Sequence, residues 1–264
     1  MTRIFGQQRD FQESAVEVLS LILCARRPLT SRELQHALMI ETGDKELDLD
    51  NSLDPETMLS VCAGLITIDE SSDTIRFVHY TTQEYLQRTQ DRWLPGAKLK
   101  ITRACLDYLL LQEFALASRE TTEDTGPVRK DASSANLTNG TVKVYGFAAE
   151  PVPGNIARDV ERTKLEFPFA DYAIKHGPYH WDAAVQTESS THADILSLLK
   201  NYQILSVMHQ VLYSNCYLDA FVSGPKLDAV VNWISELGLA DLTEFCLVKG
   251  LARDTKGTPA DLDP

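Results

Sequence analysis

At 264 residues and 44% hydrophobic content, the chain is longer than one typical domain and apolar enough to build real cores, so two compact units are expected. Its formal net charge of −13 disfavours a nucleic-acid role, because affinity for phosphate backbones comes mainly from clustered Lys and Arg. Five scattered cysteines, Cys24, Cys62, Cys105, Cys216 and Cys246, show neither paired metal-ligand spacing nor a disulfide framework and read as reduced thiols of a cytoplasmic protein. Met1 to Asp10 lacks the apolar stretch of a signal peptide, and no apolar run approaches the ~20 residues of a membrane span.

In chain order, Phe11, Ala15, Val16, Leu19, Leu21, Ile22 and Leu23 recur at helical spacing. Arg26, Arg27 and Pro28 read as the cationic last turn of that first helix and its stop. Thr30 and Glu33 have capping-box spacing, in which each side chain satisfies the other residue's free backbone N–H, and they predict a second helix from Ser31 to Ile40 ended by Gly43. Asp54 followed by Pro55 is a good N-cap and first helical residue, giving a third helix from Pro55 to Ala63. Val61 to Gly64 close that helix at a glycine. Leu65–Asp69 and Thr74–Val78 are short β-rich runs around Ser71, Ser72 and Asp73, a β-wing hairpin. Thr81 and Glu84 repeat the capping-box spacing and predict another helix start. Three helices, a hairpin and a helix in this order predict a winged helix.

The slot that reads the major groove in DNA-binding winged helices would fall on the third helix, which carries Glu56, Thr57, Met58, Ser60 and Cys62 and no Lys or Arg. After a break at Trp93, Leu94 and Pro95, residues Ala97 to Phe114 predict a long amphipathic helix that opens a second, helical unit. Residues 118–154 are dominated by Thr, Asp, Ser, Asn, Gly and Pro and read as a disordered insertion; since no export signal is read in the chain, the sequons at Asn136 and Asn139 are taken as chance matches in this polar loop. Helices are expected again over Ile156–Leu165, Pro168–Lys175, His192–Leu199 and Ile204–Leu212, with Gly177–Pro178 as a break. Leu227–Gly250 reads as two helical stretches separated by Gly238.

Three blocks then carry a family resemblance: Arg27-Pro28-Leu29-Thr30 with Glu33 to Leu38; Val61-Cys62-Ala63-Gly64-Leu65; and Val78-His79-Tyr80-Thr81-Thr82-Gln83-Glu84-Tyr85-Leu86. In this order they resemble the winged helix domain of fungal NACHT-ankyrin proteins of the STAND, or NLR-like, class. That module is often catalogued as the winged helix of GPI inositol-deacylase-like proteins. Cys105 to Leu109 and Phe169 to His176 resemble the helical spacer before the ankyrin array in that family. Tyr172-Ala173 is the best anchor there, and Gly177 stands where the spacer has a Trp. Gly238 to Gly250 and Asp254 to Pro259 resemble a degenerate ankyrin-like unit. An array needs about three stacked units to bury a continuous core, and no phosphate-cradling Gly-x-x-x-x-Gly-Lys-Ser/Thr loop occurs. By the resemblance the chain is a fragment or a stripped-down paralogue.

The expected fold class is therefore mainly α: a winged helix over 1–92, an all-α helical spacer over 93–222, and a degenerate ankyrin-like helix pair with a polar tail over 223–264. The resemblance implies a non-enzymatic regulatory and protein-interaction module that couples a NACHT ATPase, in cis or in trans, to ankyrin-type repeats. No cofactor, metal, membrane or nucleic-acid partner is expected, and self-association is.

His79 is the candidate nucleotide-sensing residue, since it resembles by position the winged-helix histidine that contacts the bound phosphate in STAND ATPases. The alternative is a ring packed at the strand end and bonded to a loop carbonyl. His176 and His180 have the i, i+4 spacing of helical zinc ligands, but Gly177 and Pro178 lie between them and no Glu general base follows, so a structural role is expected. A hydrolase of the GPI inositol-deacylase type is the enzymatic alternative, and it lacks a Gly-x-Ser-x-Gly elbow. Cys62 and Cys105 lie on apolar helical faces unsuited to a nucleophile. Asp44, Glu46, Asp48 and Asp50 lack the glycine and closing Glu of a calcium loop. A winged-helix nucleic-acid binder is the third reading.

Overall fold

A computed structural model describes residues 1–41, 43, 46–48, 52–111, 165–201, 204, 205, 208, 231 and 234–249. The expected insertion at 118–154, the helix at Ile156–Leu165 but for Leu165, most of Ile204–Leu212, Asp44, Asp50, Cys216 and the tail from Gly250 lie outside the described residues.

Helix α1 spans Arg9–Cys24. It buries Ala15, Val18, Leu19, Leu21 and Leu23, a stripe at helical spacing that faces the core. Arg26 and Arg27 are not its last turn, contrary to expectation, because the helix stops at Cys24 and Ala25 is already extended. Leu29–Thr30 then form a two-residue strand β1, too short to register as a periodic pattern. Thr30 caps α2, Ser31–Leu38, and Asp54 caps α3, Pro55–Val61.

Strands β2, Ile66–Asp69, and β3, Thr74–Phe77, are the wing. They pair antiparallel with Ile66 opposite Phe77 and Ile68 opposite Ile75, and β1 joins β3 with Leu29 opposite Ile75. The sheet order is β1-β3-β2. Gly64 sits at φ 80, the left-handed conformation in which a glycine ends a helix without a Cβ penalty. At the wing tip Asp73 accepts from Ser31 twice: its backbone oxygen from the amide at 2.9 Å and its carboxylate from the hydroxyl at 2.6 Å. The tip is thereby pinned to the start of α2.

Helix α4 spans Tyr80–Arg88, and a short α5, Gln90–Trp93, precedes α6, Ala97–Leu110. Helix α7, Ala170–Val185, packs along α6, and a 3-10 turn at Ser189–Thr191 leads into α8, His192–Lys200. Helix α9 is Ala240–Val248. The described residues are thus mainly helical with one small antiparallel sheet. A single buried core joins Leu19, Leu34 and Ile75 of the winged helix to Ile101, Tyr108, Tyr172 and Trp181 of the helical unit.

Helix α7 corrects the expected break at Gly177–Pro178, since it runs unbroken through both residues. A proline inside a helix loses one backbone bond and crowds the preceding turn, so tertiary packing must hold it. Trp181 supplies that packing: its indole is fully buried and lies where a Cβ on residue 177 would come within 2.8 Å of its ring. Gly177 leaves the space that Trp181 fills, against Cys105 of α6.

Of the ankyrin-like pair, the described residues contain α9 and isolated helical residues at 231 and 234–236. The N-cap position of α9, Leu239, has no side-chain bond to offer. Instead Asp182 of α7 accepts from the Leu242 amide at 2.8 Å, so a side chain 60 positions away serves as the cap.

Candidate functional site at the joint of the two units

The residues that follow α1 turn away from it and meet α7. Arg27 forms a two-pronged ion pair with Glu33, Nη1 to Oε2 at 2.8 Å and Nη2 to Oε1 at 2.6 Å. Its guanidinium lies 3.6 Å from Asp171 and 5.2 Å from the centroid of the Tyr172 ring. Arg26 lies over the Tyr179 ring at 4.1 Å. Asp171 in turn pairs with Lys175 at 2.7 Å. Planar guanidinium groups suit both jobs, bidentate carboxylate binding and ring stacking.

Tyr172 is the centre of the joint. Its side chain is fully buried, its oxygen accepts from the Arg26 amide at 2.9 Å, and the same oxygen lies 2.9 Å from His180 Nε2. The Arg26 amide can only donate, so the phenol proton goes to His180 Nε2, which fixes the neutral ring with its proton on Nδ1. A second bond crosses the joint where His36 Nδ1 of α2 meets the Tyr108 hydroxyl of α6 at 3.0 Å. Phe169 links the two, edge-on to Tyr108 and stacked on Tyr172, each at 5.3 Å. Such ring pairs add about 0.5–1.5 kcal/mol beyond their buried area.

Burial sets the electrostatics. It lowers the His180 pKa to about 4, with Arg26 and His176 adding repulsion. Burial first, and then Arg27 and Arg26, lowers His176, and burial with Arg32 lowers His36. The Tyr172 hydroxyl is pushed up by burial, so all these groups are uncharged at neutral pH. His176 Nδ1 is buried with no hydrogen-bond partner among the described residues. His176 and His180 share one helical face after all, but His180 Nε2 is already taken by Tyr172. Among the described residues no group of three His, Cys, Asp or Glu side chains is placed to hold a metal ion.

His79 lies elsewhere. It is the N-cap residue of α4, exposed, and its ring makes no hydrogen bond among the described residues. The loop-carbonyl bond is not present within these residues. It stands between Val78 and Tyr80, which are 44% and 74% exposed.

Thr30 and Glu33 form the expected reciprocal box, with Glu33 N donating to Thr30 Oγ1 at 3.2 Å and Thr30 N donating to Glu33 Oε2 at 2.9 Å. Asp54 accepts from the Thr57 amide at 3.0 Å and its hydroxyl at 2.6 Å. Thr81 and Glu84 do not form a box, because α4 begins one residue earlier, at Tyr80, and no side chain caps it. Thr81 is thus inside the first turn and not at the N-cap position, and both residues are exposed.

Cys62, Cys105 and Cys246 are buried and Cys24 half-buried, all free. Burial pushes the Cys62 thiol up to about 12 and the Cys105 thiol higher still, the reverse of what a nucleophile requires. Glu56 and Ser60 are the exposed residues of α3. The joint was not found by motif reading, since Arg26 and Arg27 read as a helix end and the histidines as separate structural residues. One signal was available: the Tyr172-Ala173 anchor lay in the same resemblance as the Arg27-Pro28 block.

The order helix, strand, two helices and wing decides the fold of the first unit. Residues 3–93 match the family model for the winged helix domain of GPI inositol-deacylase. A winged helix domain of that family is present there. No curated protein and no solved structure matches the chain. No helix among the described residues is long and apolar enough to cross a membrane.

Proposed function

We propose that the chain is a non-enzymatic regulatory and protein-interaction module of a fungal NLR-like signalling protein of the cytoplasm. In this reading the winged helix takes up the state of a NACHT ATPase and passes it through the helical unit to ankyrin-type repeats. The observation that carries it is the joint: Arg26 bonds to Tyr172, Arg27 to Glu33 beside Asp171, and His36 to Tyr108. A relay requires a connection stiff enough that moving one unit moves the other, and coupling through packed side chains and hydrogen bonds is the physical form of such a connection. The exposed Val78-His79-Tyr80 corner is where an ATPase would be engaged, with His79 free to donate to a phosphate.

The direct test is binding of the full chain to a separately produced NACHT ATPase module loaded with ADP, followed by calorimetry. The expected result is ADP-dependent association that His79→Ala weakens at least tenfold, with no turnover of ATP or of ester substrates by the chain itself. Turnover by the chain, or a shift of duplex DNA that weakens with salt, would overturn this reading.

A further inference from the structure

We infer that the joint between the winged helix and the helical unit is a proton-sensitive latch, closed by the Arg26–Tyr172–His180 hydrogen-bond relay while His180 is neutral and loosened when it takes up a proton. This goes beyond the function proposed above and rests on the joint geometry alone.

The geometry leaves His180 a single useful protonation state. The buried phenol oxygen of Tyr172 accepts a hydrogen bond from the Arg26 amide, and its hydroxyl donates one to His180 Nε2, each over 2.9 Å. An imidazolium would turn Nε2 into a second donor, so the phenol proton would lose its acceptor in a buried place. An unpaired buried polar group is costly.

The surrounding charges work the same way. From the end of α1, Arg26 repels the protonated ring, with Arg27 beside Tyr172. From α6, the group facing Tyr172 is Cys105, a fully buried thiol that burial holds neutral. Along α7, His176 repels, while Asp171 is engaged by Lys175 and lies near Arg27. No described carboxylate faces His180 to compensate a new positive charge. The His180 backbone carbonyl lies 3.4 Å from the Thr102 hydroxyl of α6, which ties this turn of α7 to α6.

The Arg26 amide is a direct reporter, because the bond it donates is the latch itself. Hydrogen exchange of that amide, followed by NMR on the full chain and corrected for intrinsic rates, measures the opening equilibrium. With His180 titrating near 6.5 when open and near 4 when closed, opening becomes about tenfold more favourable between pH 7.5 and 5.5. Both of these working pH values, 7.5 and 5.5, lie above the sequence pI of about 4.9.

The expected result is that Arg26 opens with a weaker urea dependence than the Leu19 amide inside α1 and shows the tenfold pH effect. His180→Gln, which can still accept the phenol proton, should keep Arg26 protected at pH 7.5 and cut the pH effect to less than threefold. Tyr172→Phe should remove Arg26 protection at both pH values. Arg26 exchanging only with the urea dependence of Leu19, a pH effect that survives His180→Gln, or full protection in Tyr172→Phe would each overturn the inference.

Discussion

Glu33 serves two partners at once: Oε2 takes both the Thr30 amide at 2.9 Å and Arg27 Nη1 at 2.8 Å, while Oε1 takes Arg27 Nη2 at 2.6 Å. One carboxylate therefore starts α2 and holds the arginine that faces α7. Glu33→Gln keeps the capping-box geometry but removes the charge, and should cost about 1–2 kcal/mol. Glu33→Ala loses both and leaves a half-buried Arg27, so about 2–4 kcal/mol is expected. Urea unfolding of the two variants separates the cap from the ion pair.

Two cap residues should behave oppositely. Asp54→Ala removes the acceptor of the Thr57 amide and should lower stability by about 1 kcal/mol. Thr81→Ala removes no cap and should stay within about 0.5 kcal/mol of the parent. Thermal unfolding of both reads the contrast, and a Thr81→Ala loss as large as that of Asp54→Ala would restore the capping box expected there.

A methyl group at residue 177 would sit 2.8 Å from the Trp181 ring. Gly177→Ala ordinarily favours a helix by up to about 1 kcal/mol, but here the overpacking should dominate and cost about 1–3 kcal/mol. Trp181→Phe makes room, so Gly177→Ala should be less harmful in that background. A double-mutant cycle measures the difference, and strict additivity would remove Trp181 as the reason for the glycine.

Global stability should fall on the acid side of neutrality. His36, His176 and His180 have lowered pKa values in the folded protein, so the folded state binds fewer protons than the unfolded one. Their stabilisation is complete above the unfolded value near 6.5 and is lost as pH falls below it, for His180 down to about 4. His180 alone accounts for about 2–3 kcal/mol over that window. Denaturant midpoints at fixed pH should be flat above pH 7.5 and decline below 6.5, with a shallower decline in His180→Gln.

Helix α9 depends on Asp182 for its cap, and a nine-residue helix is too short to persist undocked. Cys246 on its inner face is fully buried, with its thiol pushed up to about 11 by burial. Asp182→Ala should speed maleimide labelling of Cys246 about tenfold. Labelling of Cys62 and Cys105 should not change, and equal acceleration at all three would mean general destabilisation.

The winged helix was legible because its signals are local. Caps at Thr30 and Asp54, the glycine at 64 and the Ser71-Ser72-Asp73 turn each act within a few residues. Thr81 misled for the same reason, since its spacing to Glu84 is right and only the actual helix start at Tyr80 excludes a cap. Strand β1 was missed because two residues carry no period, and its pairing with β3 is a tertiary fact. Gly177–Pro178 read as a break because propensity favours one, whereas Trp181 packing overrides it. The joint was illegible altogether. Arg26 and Tyr172 lie 146 positions apart, and nothing near either residue names the other.

That separation has a consequence for how the chain is made. Synthesis runs at roughly 5–20 residues per second, so α1 to β3 can be complete while α7 is still untranslated. For about 5–20 s Arg26 and Arg27, just after α1, wait for their partners Tyr172 and Asp171 on α7, and closing so long a loop comes late because its entropy must be offset by contacts that form only at the end. The nascent winged helix thus spends its first seconds with its half of the joint unpartnered, and chaperone demand should be concentrated there.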